Sequence, residues 1–450
     1  MDSDLSRARE TLAFDIIRQL RGSGHQAYLV GGCVRDRLLG IVPKDLDVAT
    51  DAQPGEIIRY FPQAQLVGAH FGVMTVRGGS GVQVEVATFR SEGAYSDGRR
   101  PDEVRFVKDP ALDVQRRDFT VNGLMEDPFT GAILDFVGGR ADLDAKIIRA
   151  IGDPDLRFQE DHLRMLRAVR FAARFAFAIE PATLHAIRQE AGCIGRISPE
   201  RIQGEIVRIL TEGGARRGLE LLDTCGLLEQ ILPEVKAFQG VAQPPEYHPE
   251  GDVWTHVLIM LGEMRHPSAA LALGVLLHDV GKPPTFRVAD RIRFDGHAEV
   301  GAQMTRAILS GLKFSNEDIE HVSSLVANHM RFKDVQQMRL STLKRFLCLP
   351  HFDEHLELHR LDCLASHGHM DSYAYVQARI AEMTSSELRP APLIGGHDLI
   401  KAGFEPGPAF GQALEVVATA QLEGEIHTRE EALVLARSVL EQTPGTPLSR

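Results

Sequence analysis

The sequence predicts a mixed α/β head followed by a chain that is almost wholly α-helical. Three observations carry the prediction. Through about the first 145 residues, short apolar runs alternate with glycine-rich turns, as in GVMTVRGGSGVQVEVATF at 72–89, the pattern of short strands joined by tight turns. Past about residue 155 helical spacing takes over and strand-like segments become scarce. Two proline-rich polar stretches, GVAQPPEYHPEGD at 240–252 and ELRPAPLIGGHD at 387–398, read as connections between domains. The expected plan is a head over 1–145, a helical body over 146–240, a histidine-rich helical module over 241–385 and a helical tail over 386–450.

Each element has a local reason. Residues 5–22 repeat Leu5, Leu12, Ile16 and Leu20 at helical spacing. HQAYLVGG is a short apolar strand that runs into two glycines. KDLDVAT reads as a second strand, with Asp45 and Asp47 on one face and Leu46 and Val48 on the other. Residues 54–61 look helical, and GVMTVRGGSGVQVEVATF reads as two strands joined by GGSG. Residues 90–115 are polar and read as a loop, whereas EDPFTGAILDFVGG has the form of a hairpin. Farther on, FRVADRIRF at 286–294 fits a short hairpin, and AALALGVLL at 269–277 a buried helix too short to span a bilayer.

Composition narrows the function classes. A formal net charge of -12 argues against a chain coated with basic charge for nucleic acid. Five scattered cysteines without a CxxC pair argue against a disulfide framework or a thiolate zinc site. The opening MDSDLSRARE is charged from its second residue and lacks the apolar stretch of a signal peptide. A cytoplasmic location without a membrane partner is therefore expected.

The chemistry begins in GGCVRDRLLGIVPKDLDVAT at 31–50. Two carboxylates crowded onto one face repel each other unless a cation sits between them. Mg²⁺ takes oxygen ligands and commonly combines one or two carboxylates with substrate phosphates. Asp45 and Asp47 thus fit a Mg²⁺ site for nucleoside triphosphate chemistry, and Glu85 in VQVEVATF is the candidate third carboxylate from a neighbouring strand. Gly31 and Gly32 leave backbone N–H groups uncovered before a helix, where phosphate oxygens bind well, and Arg35 is positioned to clamp a phosphate. By itself DxD is also the pattern of a surface turn.

Two further segments follow. RRDFTVNGL at 116–124 gathers Arg116, Arg117, Asp118 and Asn122, groups suited to phosphates and ribose hydroxyls. In EDHLRMLRAVRFAARF at 160–175, Arg164, Arg167, Arg170 and Arg174 fall on one helix face, about 120° wide at 100° per residue. Asp161 and Arg164 are three residues apart, and a carboxylate beside a guanidinium matches the donor–acceptor edge shared by C and A. The helix alone also fits a plain intrahelical salt bridge.

Taken together, the three segments resemble the class II nucleotidyltransferases of the DNA polymerase beta superfamily, which comprise tRNA CCA-adding enzymes and bacterial poly(A) polymerases. The resemblance implies a polymerase-beta-like head that uses CTP and ATP on a tRNA 3′ end. It assigns base selection to Asp161 and Arg164, sugar contacts to the RRDFTVNGL motif, and a phosphate or packing role to Arg167. The polar loop FRSEGAYSDGRRPDEVRFVKD at 89–109 is the element that members adding A require, so a CC-only enzyme is not expected. Between 164 and 217 ten arginines face five glutamates, a local balance of +5 that suits an RNA acceptor helix as well as a solvated surface. The tail TPGTPLSR is not the basic tail expected of a poly(A) polymerase.

Finally, WTHV (His256), LLHDVGKPPTF (His278, Asp279) and HRLDCLAS (Asp362) resemble the HD phosphohydrolase superfamily. Imidazole and carboxylate ligands suit Mn²⁺, Fe, Ni²⁺ or Mg²⁺, with His297 and His329 as candidates for a second metal position and Lys282 for a substrate phosphate. The resemblance implies phosphatase or cyclic phosphodiesterase activity. Three readings stay open: addition of the terminal A alone, poly(A) synthesis, and a phosphohydrolase whose head only senses nucleotides.

Overall fold

A computed structural model describes residues 2–66, 72–93 and 103–442. The chain divides into two compact units, Met1–Ala237 with Gly311–Phe314, and Phe238–Ser310 with Ser315–Arg450. The expected head and body therefore share one unit, and the histidine-rich module and tail share the other.

The first unit is built on strands β1 (Ala27–Val30), β2 (Asp47–Thr50), β3 (Gln65–Leu66), β4 (Val73–Arg77) and β5 (Gln83–Thr88). They are followed by β6 (Arg90–Glu92), β7 (Val104–Phe106), β8 (Leu124–Glu126) and β9 (Ile133–Asp135). Seven of these form one sheet in the order β3-β4-β5-β2-β1-β8-β9. Only β2 and β5 run parallel in it, with Asp47 opposite Glu85. Helix Asp2–Gly22 packs on β1 and β5 through Ala13, Ile16, Ile17 and Leu20, all fully buried. Leu5, expected in that stripe, is exposed.

Two differences from the expected head have plain causes. Asp45 lies outside the strand, because β1 ends at Val30 and offers residues before Asp47 no ladder partner. The stretch 90–115 is not all loop. β6 and β7 pair as an antiparallel ribbon and Pro110–Gln115 is helical, while residues 94–102 lie outside the described residues. Strands of three residues, one wholly polar (RSE) and one mixed (VRF), are too short for a period of two to be read with any weight.

Helix Leu163–Arg174 buries most of its length, and its arginine row points inward. Arg167 pairs with Asp118, Arg170 with Glu205 and Glu212, and Arg174 with Asp36 and Glu212. Farther along, Arg208 and Arg216 also face glutamates, and Arg188 and Arg217 donate to backbone carbonyls. The arginines counted as a basic surface are thus largely neutralised within the fold.

In the second unit, helix Ala269–Leu277 is buried as its composition predicts and packs between helices Val253–Glu263, Asn316–Asn328 and Phe352–Ala365. The 286–294 segment is the expected small hairpin. Helices Gly396–Lys401, Pro408–Glu423 and Arg429–Gln442 share a core of Leu399, Phe404, Phe410, Val417 and Leu440. GPAFG opens the middle one; TPGTPLSR lies outside the described residues. Among the described residues no helix is long and apolar enough to cross a membrane.

Candidate functional site

The glycine turn takes a backbone conformation that only glycine adopts easily: Gly31 has φ 77° and ψ −134°. It opens helix Gly32–Leu38, where the backbone ladder starts with Arg35 N donating to Gly31 O, so the N–H groups of Gly32, Cys33 and Val34 precede that ladder. A Cβ on Gly31 would lie 3.3 Å from Arg117 Nη1, so the Arg117 guanidinium rests directly over the turn. Arg117 Nη2 donates to Asp113 Oδ2 at 2.9 Å, a carboxylate 1% exposed that also binds Arg116.

Beside this cation stand the acidic residues. The parallel pairing of β2 and β5 sets Glu85 next to Asp47. Burial, then the charges of Glu85 and Asp45, push the Asp47 carboxyl up to about 6 against the opposing pull of Arg117. Carboxylates that crowd one another in this way are under-neutralised by the protein itself, and the all-oxygen donor set fits Mg²⁺.

The second and third motifs interlock behind the turn. Asp118 Oδ1 accepts from Phe119 N and Asn122 Nδ2 at 2.8 and 3.0 Å, while Arg167 Nε and Nη2 reach Asp118 Oδ2 at 2.8 and 2.6 Å. Burial opposes the Asp118 charge, but Arg167 and Asn122 override it and hold the carboxyl at about 2. Arg35 does not present a phosphate clamp. It is 3% exposed, bonds Asp36 and Asn122, and lies against the rings of Phe171 and Phe175 at 5.0 and 4.5 Å. Its desolvated guanidinium finds better partners inside than a phosphate outside, and it ties the glycine turn to the Asn122 segment.

Asp161 and Arg164 are not paired as the helical spacing predicts. Asp161 follows helix Pro154–Glu160 and precedes helix Leu163–Arg174. Its carboxylate accepts from Leu163 N and from Arg201 Nη2, at 3.1 and 2.7 Å. Arg164 turns to Glu160 Oε2 at 2.6 Å and to the carbonyls of Arg157 and Arg116.

In the second unit the histidines converge. His278 caps helix Ala269–Leu277, and Asp279 follows it. A Cβ on Gly281 would lie 2.1 Å from the His297 carbonyl oxygen, so the start of helix His297–Gly311 meets this turn backbone to backbone. Four imidazoles share one arrangement. Nδ1 of His278, His297 and His329 binds the carbonyls of Val275, Phe294 and Val326, and Nδ1 of His256 binds Glu250 Oε1 at 2.7 Å. Nδ1 anchoring leaves Nε2 for a ligand, the usual arrangement of metal-binding histidines.

The Nε2 atoms then meet carboxylates and one another. His256 Nε2 lies 3.2 Å from Asp362 Oδ1, His278 Nε2 3.1 Å from Asp279 Oδ2, and the Nε2 atoms of His297 and His329 are 3.2 Å apart. Two donors each about 2.1 Å from a common cation would stand about 3.0–3.4 Å apart. Among the described residues three groups have ligand atoms within 4.8 Å of one another: His256, His278 and Asp362; Asp279, His297 and His329; and His248, Glu250 and His256, in which Glu250 bonds both imidazoles. Among the described residues Asp279 Oδ1 and the Nε2 atoms of His256 and His278 are buried and make no hydrogen bond, the two imidazoles meeting only ion-pair carboxylates, whereas Asp279 Oδ2 is held by Lys282. Orphaned atoms of this kind fit divalent cations of the Mn²⁺, Fe, Ni²⁺ or Mg²⁺ group.

Burial lowers the affinity of His256 for a proton, but Asp362 and Glu250 outweigh it and hold the imidazole at about 9. Burial and the neighbouring His278 hold His329 at about 3. Lys282, expected at a substrate phosphate, is buried, with Nζ 2.7 Å from Asp279 Oδ2 and 2.6 Å from Gln243 Oε1.

Sequence reasoning missed Asp113, Arg201, Gln243, His248 and Glu250. The last three lie in the stretch read as a connection, which bends back to the histidines through Glu250. The nearest signal was His-Pro-Glu six residues before His256.

Comparison with known proteins adds three family matches: "Poly A polymerase head domain" over 27–149, "Probable RNA and SrmB-binding site of polymerase A" over 176–239, and tRNA nucleotidyltransferase domain 2 over 297–436. The CCA-adding enzyme of Limosilactobacillus fermentum is 34% identical over 440 residues, covering 94% of this chain and 96% of that protein. The A-adding tRNA nucleotidyltransferase of Deinococcus radiodurans is 34% identical over 444 residues, covering 93% and 97%. The crystal structure of the Bacillus stearothermophilus CCA-adding enzyme in complex with CTP superposes with a TM-score of 0.72 at 28% identity, over 95% of this chain and 96% of that one.

Proposed function

Because the chain belongs to the tRNA nucleotidyltransferase family, we propose that it adds CMP, CMP and AMP to the 3′ end of tRNA from CTP and ATP without a nucleic-acid template, in the cytoplasm. The observation that carries the reading is the glycine turn under Arg117 beside the Asp47–Glu85 pair. There the turn's backbone N–H groups and Arg117 receive the triphosphate, and Asp45, Asp47 and Glu85 hold Mg²⁺. Bound Mg²⁺ supplies Lewis-acid polarisation of the α-phosphate and eases ionisation of the attacking hydroxyl.

The tRNA 3′-oxygen attacks the α-phosphorus, its bond to the β-phosphate oxygen breaks, and pyrophosphate leaves with the negative charge that Arg117 faces. Asp118 and Asn122 set the sugar edge of the pocket, with Arg167 keeping Asp118 ionised. Asp161 and Arg164 select the base, Arg164 turning to its edge from Glu160, the partner it has in this structure. C and A both present an amino donor beside a ring acceptor, whereas U and G reverse the order.

Addition of the terminal A alone is the second reading, favoured by the A-adding relative, which is as similar to this chain as the CCA-adding one. tRNAs ending before CCA, after C and after CC, each offered labelled CTP or ATP, separate the two. CMP incorporation onto the shortest tRNA supports CCA addition. Incorporation of AMP onto the CC-ended tRNA alone supports A addition, and long A tracts indicate a poly(A) polymerase.

For the second unit we propose a metal-dependent phosphohydrolase acting on phosphate monoesters or cyclic phosphates of nucleotides or RNA ends. His256, His278 and Asp362 hold one cation, and Asp279, His297 and His329 a second. Metal analysis of the purified protein and of His278→Ala, together with hydrolysis of p-nitrophenyl phosphate, tests it. If Asp45→Ala leaves the principal activity intact and His278→Ala abolishes it, the protein is a phosphohydrolase with a nucleotide-sensing head.

A further inference from the structure

One buried cation beside the nucleotide site takes no part in holding the triphosphate. Arg35 is 3% exposed and sits on helix Gly32–Leu38, just past the glycine turn. Its guanidinium divides between two partners. Nε and Nη2 donate to Asp36 Oδ1 at 2.8 and 2.6 Å, and Nη1 donates to Asn122 Oδ1, 87 residues away. The rings of Phe171 and Phe175 lie against the guanidinium, so little solvent competes for these bonds.

The Arg35 bond settles which way the Asn122 amide faces. Oδ1 meets the cation, and Nδ2 donates to Asp118 Oδ1 at 3.0 Å. The opposite orientation would set an NH₂ group against a guanidinium and an oxygen against a carboxylate. Lone pairs then show what is left for a substrate. Asp118 takes four N–H donors, Phe119 N and Asn122 Nδ2 on Oδ1, and Arg167 Nε and Nη2 on Oδ2. A carboxylate offers about four acceptor sites, so Asp118 is filled. Asn122 Oδ1 has two lone pairs, and among the described residues Arg35 is the donor to one of them. The acceptor still open in this segment is therefore Asn122 Oδ1. The residue stands at the turn that receives the triphosphate: a Cβ on Gly31 would lie 3.9 Å from the Asn122 backbone oxygen.

We propose that Arg35 is a positioning residue for ribose recognition, fixing the Asn122 amide so that Oδ1 accepts the 2′-hydroxyl of the bound nucleotide. The proposal rests on the reading that the first unit transfers nucleotides from ribonucleoside triphosphates. The 2′-hydroxyl is a donor that deoxyribose lacks. A site built to bond a hydroxyl penalises the analogue without it, because the site's polar group is then left unpaired. Without Arg35 the amide is free to turn, and an NH₂ group takes the place of the acceptor for part of the time. Selection for ribose weakens as a result.

The test measures kcat/KM for ATP and for dATP on CC-ended tRNA, a step common to CCA addition and A addition. It compares the full-length protein with Arg35→Ala, Arg35→Lys, Arg174→Ala and Asn122→Ala. Arg35→Ala is expected to lower the ATP:dATP ratio about tenfold, the worth of one hydrogen bond to a charged group. Arg35→Lys keeps a donor for Oδ1 and should restore part of the loss. Arg174 shares the cluster through Asp36 Oδ2 at 3.5 Å and makes no hydrogen bond to Asn122 among the described residues, so Arg174→Ala should keep the wild-type ratio. A purely structural role lowers both values of kcat/KM together and leaves the ratio where it was. That result in Arg35→Ala overturns the proposal, as does an equal fall of the ratio in Arg174→Ala. Should Arg35→Ala fold poorly, Arg35→Met keeps the length of the side chain without a donor, and its ratio decides. A ratio that survives Asn122→Ala overturns the part given to Asn122. Failure of the wild-type protein to add AMP to CC-ended tRNA overturns the nucleotidyltransferase reading itself.

Discussion

Gly281→Ala probes the second unit through one backbone contact. The added methyl would lie 2.1 Å from the His297 carbonyl oxygen and 2.7 Å from Gly301 N, both on helix His297–Gly311. A carbon and an oxygen in ordinary contact stand about 3.3 Å apart, so the start of this helix must retreat by about 1 Å. Backbone cannot rotate away as a flexible side-chain tip does, and His297 moves with it. Disturbing the support of metal ligands costs about 10–100-fold in affinity. The upper end corresponds to about 2.7 kcal/mol. Calorimetric titration with Mn²⁺ or Ni²⁺ is expected to show weakening in that range in the full-length variant. AMP addition to CC-ended tRNA, which belongs to the other unit, should stay at the wild-type rate. Metal affinity within twofold of wild type would refute the reasoning. Loss of both activities would show that the change unfolds the protein broadly and does not act locally.

Three further outcomes are expected. Asp47→Asn should lower nucleotide addition on the order of 10³-fold, because several kcal/mol of cation-assisted stabilisation go with the carboxylate; thermal melting should stay level or rise as like-charge crowding with Glu85 relaxes. Arg170→Ala leaves Glu205 and Glu212 with only the more distant Arg208 and Arg174 and should destabilise the first unit by about 1.5–3 kcal/mol in urea denaturation. Burial, reinforced by His321 and Arg331, holds His355 at about 4, below the 6.5 of an exposed imidazole. The unfolded chain thus takes the proton first. Stability contributed by neutral His355 is complete above pH 6.5 and lost as pH falls toward 4, by about 3 kcal/mol. Urea midpoints of His355→Phe measured across that range should fall less steeply than wild type, and equal slopes would rule His355 out as the source.

Much of the architecture was legible in residue order because its causes are local. Alternation around GGSG marked β4 and β5, AALALGVLL marked a buried helix, and the glycine pair marked a turn whose positive φ excludes other residues. Cases that failed share one feature: the sequence pattern was real but its partner lay elsewhere. The 90–115 stretch carries strands of only three residues, too short to establish a period, and only their pairing defines them. Periodicity found the arginine row of helix Leu163–Arg174 but could not tell whether that face met solvent or carboxylates.

What the chain's order determined by itself was which chemical groups the molecule owns and how they are spaced: the acidic pair at 45 and 47, the motifs at 116–124 and 160–175, and the histidines from 256 to 329. Tertiary structure alone decided which groups face each other. It turned Arg35 inward against Phe171 and Phe175, gave Asp161 to Arg201, set Glu85 beside Asp47, and folded the stretch before His256 back so that Glu250 orients it. Helical and strand periods govern neighbours a few residues apart. A hydrogen bond across 40 residues depends on how the elements pack, and desolvation of the charges then settles which partner each one keeps.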